Sequence, residues 1–226
     1  MHKTVRVAMI GMGERGKQLM DPLLKMKDVQ VVAVCDAYED RTAAAAETVK
    51  KECGSAPFMS QDYKEVLSHG DVDVAVISTS WQYHIAIAIE AMKQGVFAAM
   101  EVGGTYDLQE CYDLVQAYEQ TKTPFFFLEN CCYGHRELMC LNMARAGAFG
   151  EIVHCDGAYK HDLRKEVSYG KENRHYRLAH YIHHNCENYP MHDLGPIAKI
   201  LGINRGNRML HLVSVASKAR GLAQYI

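Results

Sequence analysis

The chain has 226 residues, 48% of them apolar, and a formal net charge of -2 at pH 7. That length holds one large domain or two modest ones with a sizeable core. The near balance of charge, with no basic stretch, argues against nucleic acid or an anionic membrane surface as partner, and no apolar run approaches the roughly 20 residues of a membrane helix. Val5–Ile10 is a short apolar run that leads straight into glycines with no small-residue cleavage site, so no signal peptide is read and a cytoplasmic location is expected.

The first 130 residues alternate strand and helix. Strands are expected at Val5–Ile10, Gln30–Cys35, Val72–Ile77, Val96–Met100 and Pro124–Leu128. Between them lie helices at Arg15–Lys27 (with Pro22 inside), Arg41–Cys53 stopped by Gly54, Tyr63–Ser68, His84–Gln94 closed by Gly95, and Leu108–Gln120. Apolar strands alternating with helices imply a parallel sheet covered on both faces, and right-handed crossovers make it doubly wound. After Asn130 the pattern changes. A helix is expected at His135–Ala146, a strand at Ile152–Lys160, and a long polar loop at Asp162–Asn188 with a helical turn near Leu178–His184. A helix at Asp193–Leu201 and a strand at Met209–Ser214 follow. The fold class is therefore α/β, an N-terminal doubly wound sheet (1–130) followed by a substrate domain of α+β type (131–226). With only two or three strands, that second domain is expected to be incomplete: a fragment, or a sheet completed by a partner subunit.

The eight cysteines never form C-x-x-C and sit in apolar or helical runs, so they read as reduced thiols rather than as a disulfide framework or a zinc site. His180, His183, His184 and His192, with Asp193 adjacent, could hold a metal, His180 and His184 sharing a helix face. A wet, aromatic sugar-binding loop explains the same residues, and no metal is assigned.

The strongest motif is Gly11-Met12-Gly13-Glu14-Arg15-Gly16, which follows a strand and opens a helix. Gly11 permits the tight turn, Gly13 lets backbone approach a pyrophosphate, and Gly16 allows close helix–strand packing, with the helix N-terminus facing the phosphates. Asp36 ends the next strand about twenty residues on, where a carboxylate accepts the ribose hydroxyls and repels a 2′-phosphate. The cofactor expected is NAD, although Arg41 lies close enough to soften that preference.

Three further stretches lie at the carboxyl ends of expected strands: Ser80-Trp81-Gln82-Tyr83-His84, Met100-Glu101-Val102 and Leu128-Glu129-Asn130. With the glycine motif they make the chain resemble the glucose-fructose oxidoreductase / inositol dehydrogenase superfamily. Within it the chain looks most like the NAD-dependent α-N-acetylgalactosaminidase family of glycoside hydrolases, over nearly its whole length. Ordinary dehydrogenases of the superfamily carry Glu-Lys-Pro where this chain has Glu101-Val102-Gly103, and the glycosidase branch also has Glu-Val. The resemblance implies cofactor contacts at Gly11, Met12, Gly13, Arg15, Gly16, Asp36, Trp81, Gln82, Tyr83, His84, Glu101, Val102 and Asn130. It implies substrate contacts at Tyr159, Arg177, Tyr189, Pro190, Met191 and His192, with His192, Tyr189 and Tyr159 as catalytic residues.

It further implies hydrolysis through transient oxidation at C3 of the sugar, elimination, water addition and re-reduction. The substrate expected is an N-acetylhexosaminide or a related glycoside. Two other classes remain open: an NAD-dependent sugar or polyol dehydrogenase, and an NAD-binding protein without catalysis. Read without the resemblance, Trp81 and Tyr159 serve equally as packing residues, His84 as a helix start, and Tyr189 and His192 as capping or packing residues. A small carbohydrate is the expected partner, and a homo-oligomer is expected through the second domain. The substrate residues are expected to converge on the strand ends at Gly11, Trp81 and Glu101.

Overall fold

The computed structural model describes residues 4–188 and 190–225. It divides into two compact units, Met1–Leu128 and Glu129–Ile226.

The first unit runs β1 (Val5–Ile10), α1 (Glu14–Leu24), β2 (Val29–Cys35), α2 (Glu39–Cys53), β3 (Phe58–Ser60), α3 (Tyr63–Ser68), β4 (Val74–Ile77), α4 (Trp81–Lys93), β5 (Phe97–Met100), α5 (Leu108–Thr121) and β6 (Phe125–Phe127). The strands form one sheet in the order β3-β2-β1-β4-β5-β6, and each adjacent pair is parallel. Chain direction in the strand order reverses between β1 and β4, so a crevice opens beyond their carboxyl ends, at Gly11 and Ser78.

The central strands are apolar over most of their length because both faces are covered. In β1, Val7 and Met9 join one buried layer while Ala8 and Ile10 join the other. Helices α1 and α2 cover the first layer with Met20, Ala45, Ala46 and Val49. Helices α3, α4 and α5 cover the second with Val66, Leu67, Ile85, Ala88, Met92 and Ala117. The alternation slips once: Val7 pairs with Val31 and Ala8 with Ala33. Val32 is thus an extra residue, and Val32 and Ala33 both face the α3–α5 side.

Two expectations are corrected here. Strand β3 was not anticipated; it is a three-residue edge strand just after Pro57, with Met59 exposed, too short to show a period. Helix α4 starts at Trp81 rather than His84, because Trp81 and His84 are both buried on one face of the same first turn.

The second unit has a 3-10 turn (Asn130–Cys132), α6 (His135–Arg145), α7 (Arg164–Ser168), α8 (Arg177–His183), α9 (Met191–Ile200) and α10 (Gly221–Tyr225). Helix α9 packs on the 3-10 turn and on α6. The strands expected at Ile152–Lys160 and Met209–Ser214 are not formed: neither segment pairs with another strand among the described residues. A strand exists only by hydrogen bonding to a neighbour, and among the described residues of this unit no sheet edge is offered to them. Val153, Leu212 and Val213 are accordingly exposed. The polar stretch expected as one loop contains α7 and α8. Among the described residues, no helix is long and apolar enough to cross a membrane.

Candidate functional site

In the first unit the candidate site is built at the carboxyl edge of the sheet. Gly11 follows β1 with φ +95, and a Cβ there would lie 2.6 Å from the backbone of Ser78 and Thr79, so only glycine turns the chain so close to β4. The turn is pinned on both sides. The Gly11 amide donates to Cys35 O at 2.8 Å, and Ser78 Oγ donates to Gly11 O at 2.8 Å.

Gly16, in the first turn of α1, packs directly on this turn: a Cβ on it would sit 2.0 Å from Gly11 O. Gly13 is different. Its φ of -66 suits any residue, and the nearest atom to an added Cβ is Arg41 Nη1 at 3.7 Å. Packing gives no reason for glycine at 13, and its place at the N-cap of α1 gives only a weak one. A ligand that must approach this backbone gives a direct one, which is the fit expected of a dinucleotide pyrophosphate.

Asp36 ends β2, buried, with Oδ2 accepting from the Met12 amide at 2.6 Å and Oδ1 from the Tyr38 amide at 3.0 Å. Each carboxylate oxygen keeps a second acceptor position for a ribose hydroxyl. The Met12 side chain is fully buried in the core, so Met12 can meet a cofactor only through its backbone. Arg41 stacks its guanidinium over the Tyr38 ring at 4.7 Å.

Arg15 reaches across to Glu101, with Nε and Nη2 at 2.7 and 2.6 Å from Oε1. Glu101 Oε2 accepts from the Val102 amide at 2.9 Å. Two expected cofactor contacts, one in the first turn of α1 and one just after β5, thus meet as one ion pair. Trp81 and His84 are buried, while Gln82 and Tyr83 are exposed. Gly103, at φ +81, lies under the Trp81 indole, and Gly104, at φ +106, lies under His84. Proline, locked near φ -65, cannot occupy position 103, which gives a backbone reason for the departure from Glu-Lys-Pro. The His84 imidazole lies 2.9 Å from Thr79 O and 3.3 Å from Gly103 O. Burial holds it below the ordinary histidine range despite those carbonyls.

In the second unit the structure joins His192 to Glu129. His192 Nδ1 lies 2.7 Å from Glu129 Oε1, with side-chain exposures of 7% and 8%. The same oxygen accepts from the Cys131 amide at 2.7 Å. An oxygen accepting from a backbone amide is an acceptor for the ring as well. Nδ1 therefore carries the proton, and Nε2 is the basic nitrogen of the neutral ring. Gly195 permits this approach: a Cβ on it would lie 2.7 Å from Cys132 Sγ and 3.5 Å from Glu129 Cγ. Tyr159 packs its ring 4.4 Å from the His192 ring, and His161 packs 4.6 Å from Tyr159. A cleft of about 250 Å³ adjoins them, lined by Tyr159, Lys160, His161, Tyr181, Glu187 and Asn188 among others.

Tyr159 and His192 are thus brought together. Pro190 caps α9, Met191 opens it, and Arg177 opens α8 with its amide donating to His175 Nδ1 at 3.2 Å. Tyr189 lies outside the described residues. Asn130 opens the 3-10 turn. The histidine cluster considered for a metal resolves differently: His180 stacks on His184 at 4.6 Å and meets Asn188 Oδ1 at 2.5 Å. Among the described residues the one group with metal-ligand spacing is Glu129, Cys131 and His192. Sequence reasoning missed Glu129 and Cys131 as site residues, although Glu129 stands in the stretch Leu128-Glu129-Asn130, and it missed His161.

Comparison with known proteins agrees with this division. Residues 5–128 match the oxidoreductase family with an NAD-binding Rossmann fold, and residues 133–226 match the C-terminal domain of glycosyl hydrolase 109. A glycosyl hydrolase family 109 protein of Solibacter usitatus is 38% identical over 229 residues, covering 98% of this chain and 52% of the relative. An alpha-N-acetylgalactosaminidase of Shewanella oneidensis is 36% identical over 230 residues, covering 99% of this chain and 50% of that protein. The chain spans about half the length of the curated relatives it matches. Among solved structures, myo-inositol 2-dehydrogenase from Lactobacillus plantarum superposes with a TM-score of 0.73 at 20% identity, covering 88% of this chain and 57% of that one. Scyllo-inositol dehydrogenase from Lactobacillus casei does so with a TM-score of 0.69 at 17% identity, covering 89% and 56%. These two likenesses concern the fold.

Proposed function

The chain belongs to the oxidoreductase family with an NAD-binding Rossmann fold, and from that premise we propose that it serves an NAD-dependent glycoside hydrolase acting on an N-acetylhexosaminide or a related glycoside. The observation that carries this reading is the buried Glu129–His192 pair beside Tyr159, in the half of the chain that matches the glycosyl hydrolase 109 C-terminal domain. The absence of a lysine at Val102, where ordinary dehydrogenases of the superfamily carry one, supports the same choice.

When bound, NAD supplies reversible hydride acceptance at C3 of the sugar, which acidifies the C2 proton and lets the C1 substituent leave before water adds and the hydride returns. The chain's own residues provide orientation and proton transfer. Glu129 fixes the His192 tautomer, so that Nε2 takes the C3 hydroxyl proton and gives it back. Tyr159 is assigned to the C2 proton, Tyr189 to the leaving group, and Arg177 to the sugar hydroxyls. Pro190 and Met191, just before His192, are assigned to substrate contact. The Asp36 carboxylate, already held by two amides, selects NAD over NADP by repelling a 2′-phosphate. Gly11, Gly13, Arg15, Gly16 and Glu101 would hold the rest of the cofactor. A cytoplasmic location belongs to the same proposal. So does assembly of subunits through the second unit, supported by the exposed Leu210, Leu212, Val213 and Val215.

The test incubates the chain with NAD and nitrophenyl N-acetylhexosaminides, and separately with NAD and the free sugars. The expected result is nitrophenol release without net NADH, lost in His192→Ala while NAD binding persists. NADH accumulation from free sugar without nitrophenol release would replace this reading with a sugar dehydrogenase.

A further inference from the structure

We propose that Glu129, Cys131 and His192 form a binding site for a thiophilic divalent cation of the zinc class. One ligand atom from each residue lies within 4.8 Å of the other two. The three are placed by the fold: Glu129 and Cys131 flank the start of the 3-10 turn, and α9 carries His192 onto it. An ion at the centre of a triangle with 4.8 Å edges would sit about 2.8 Å from each corner. Zinc bonds of about 2.0–2.3 Å therefore require side-chain shifts below about 1 Å.

A second observation points the same way. Glu129 is more than nine-tenths buried, and among the described residues its Oε2 has no hydrogen-bond partner. Leaving a carboxylate oxygen buried and unsatisfied costs free energy, and a cation is the partner that offsets it most directly.

The donor set decides the class of ion. Sulfur, imidazole nitrogen and one carboxylate oxygen suit zinc, whereas magnesium and calcium require oxygen ligands. Three protein ligands leave a fourth position for water. Binding converts the Cys131 thiol to a metal-bound thiolate and releases that proton to solvent; a ring that ligates through Nδ1 keeps its own proton by moving it to Nε2, and no oxidant or reductant is involved. Cys132 is not part of the group. Occupancy would engage the His192 imidazole and remove it from the proton transfer proposed above. Cation binding itself does not depend on that reading, and the test below uses neither NAD nor sugar.

The probe is Co²⁺ added to the chain, followed by Zn²⁺ in competition with a chromophoric chelator. The expected result is one equivalent of Co²⁺ with a thiolate-to-metal charge-transfer band, absent in Cys131→Ser and unchanged in Cys186→Ser, whose thiol is exposed. Loss of outer partners of a metal site already costs about 10–100-fold in affinity, so Cys131→Ser should weaken Zn²⁺ binding by at least about tenfold. Glu129→Gln keeps the thiol and should retain the band at lower affinity, which covers the case in which Cys131→Ser does not fold. The proposal is overturned if no thiolate band forms, if the band survives Cys131→Ser, if Cys186→Ser abolishes it, or if Glu129→Gln binds as tightly as the parent chain.

Discussion

Two glycines of one motif are expected to fail in opposite ways. In Gly16→Ala the new methyl group would stand 2.0 Å from Gly11 O, more than about 1 Å inside the closest comfortable carbon–oxygen approach. The carbonyl cannot yield, because Ser78 Oγ holds it at 2.8 Å and the Gly11 turn is wedged against Ser78 and Thr79. Helix α1 must lift instead. Overpacking of this kind costs about 1–3 kcal/mol, which lowers the melting temperature of a unit this size by about 4–12 °C. In Gly13→Ala the methyl group meets only Arg41 Nη1 at 3.7 Å. Exchanging glycine for alanine at a helix N-cap costs less than about 1 kcal/mol, so melting should change by only a few degrees. Cofactor affinity should nevertheless fall at least about tenfold, some 1.4 kcal/mol, because the methyl group occupies the approach of the pyrophosphate. Melting is read by circular dichroism. NAD binding is read by quenching of Trp81, the single tryptophan of the chain. NAD binding at parent affinity in Gly13→Ala, or an unshifted melting temperature in Gly16→Ala, would refute the reasoning for that position.

Asp36→Ser should weaken NAD binding and narrow the gap to NADP, as measured by paired titrations; a parent chain that prefers NADP would sink the ribose assignment. Glu129→Gln removes the charge from an oxygen that accepts from both the Cys131 amide and His192; at about 1.5–3 kcal/mol for a bond to a charged group, its urea midpoint should fall clearly, and an unchanged midpoint would count against the pair. The His84 imidazole is held by burial below its ordinary value, with Glu101 acting in the opposite sense. Below about pH 6.5 the unfolded chain therefore binds the extra proton, and this contribution, fully present above that pH, is lost as pH falls toward the folded value. Urea unfolding at pH 7.5 and 5.5 should show less difference in His84→Asn than in the parent, and equal differences would remove His84 as the cause.

Much of the first unit was legible because its strands are buried on both faces. Val5–Ile10 reads the same as a run of letters and as β1, since such a strand needs no outside information beyond apolarity and the glycine that ends it. The residues of the glycine motif also carry their reasons locally, in a turn, a close approach and a packing contact. Strand β3 escaped because three residues cannot display a period, and its identity lies in pairing with Ala33–Cys35. The opposite error at Ile152–Lys160 has the same root: alternation records which face a residue would take, and says nothing of whether a partner strand is there.

The Glu129–His192 pair is separated by 63 positions, so no local pattern can announce it. One residue did carry a trace of it. Helix α9 contains Gly195 in its interior, where glycine is disfavoured by about 0.5–1 kcal/mol relative to alanine. A helix that bears such a cost without needing a turn is marking a place where another backbone or side chain comes too close for a Cβ. The structure puts Cys132 and Glu129 in that place, one turn from His192. Gly195 is therefore the one position whose residue type, read in the sequence, marks the close approach of α9 to the 3-10 turn.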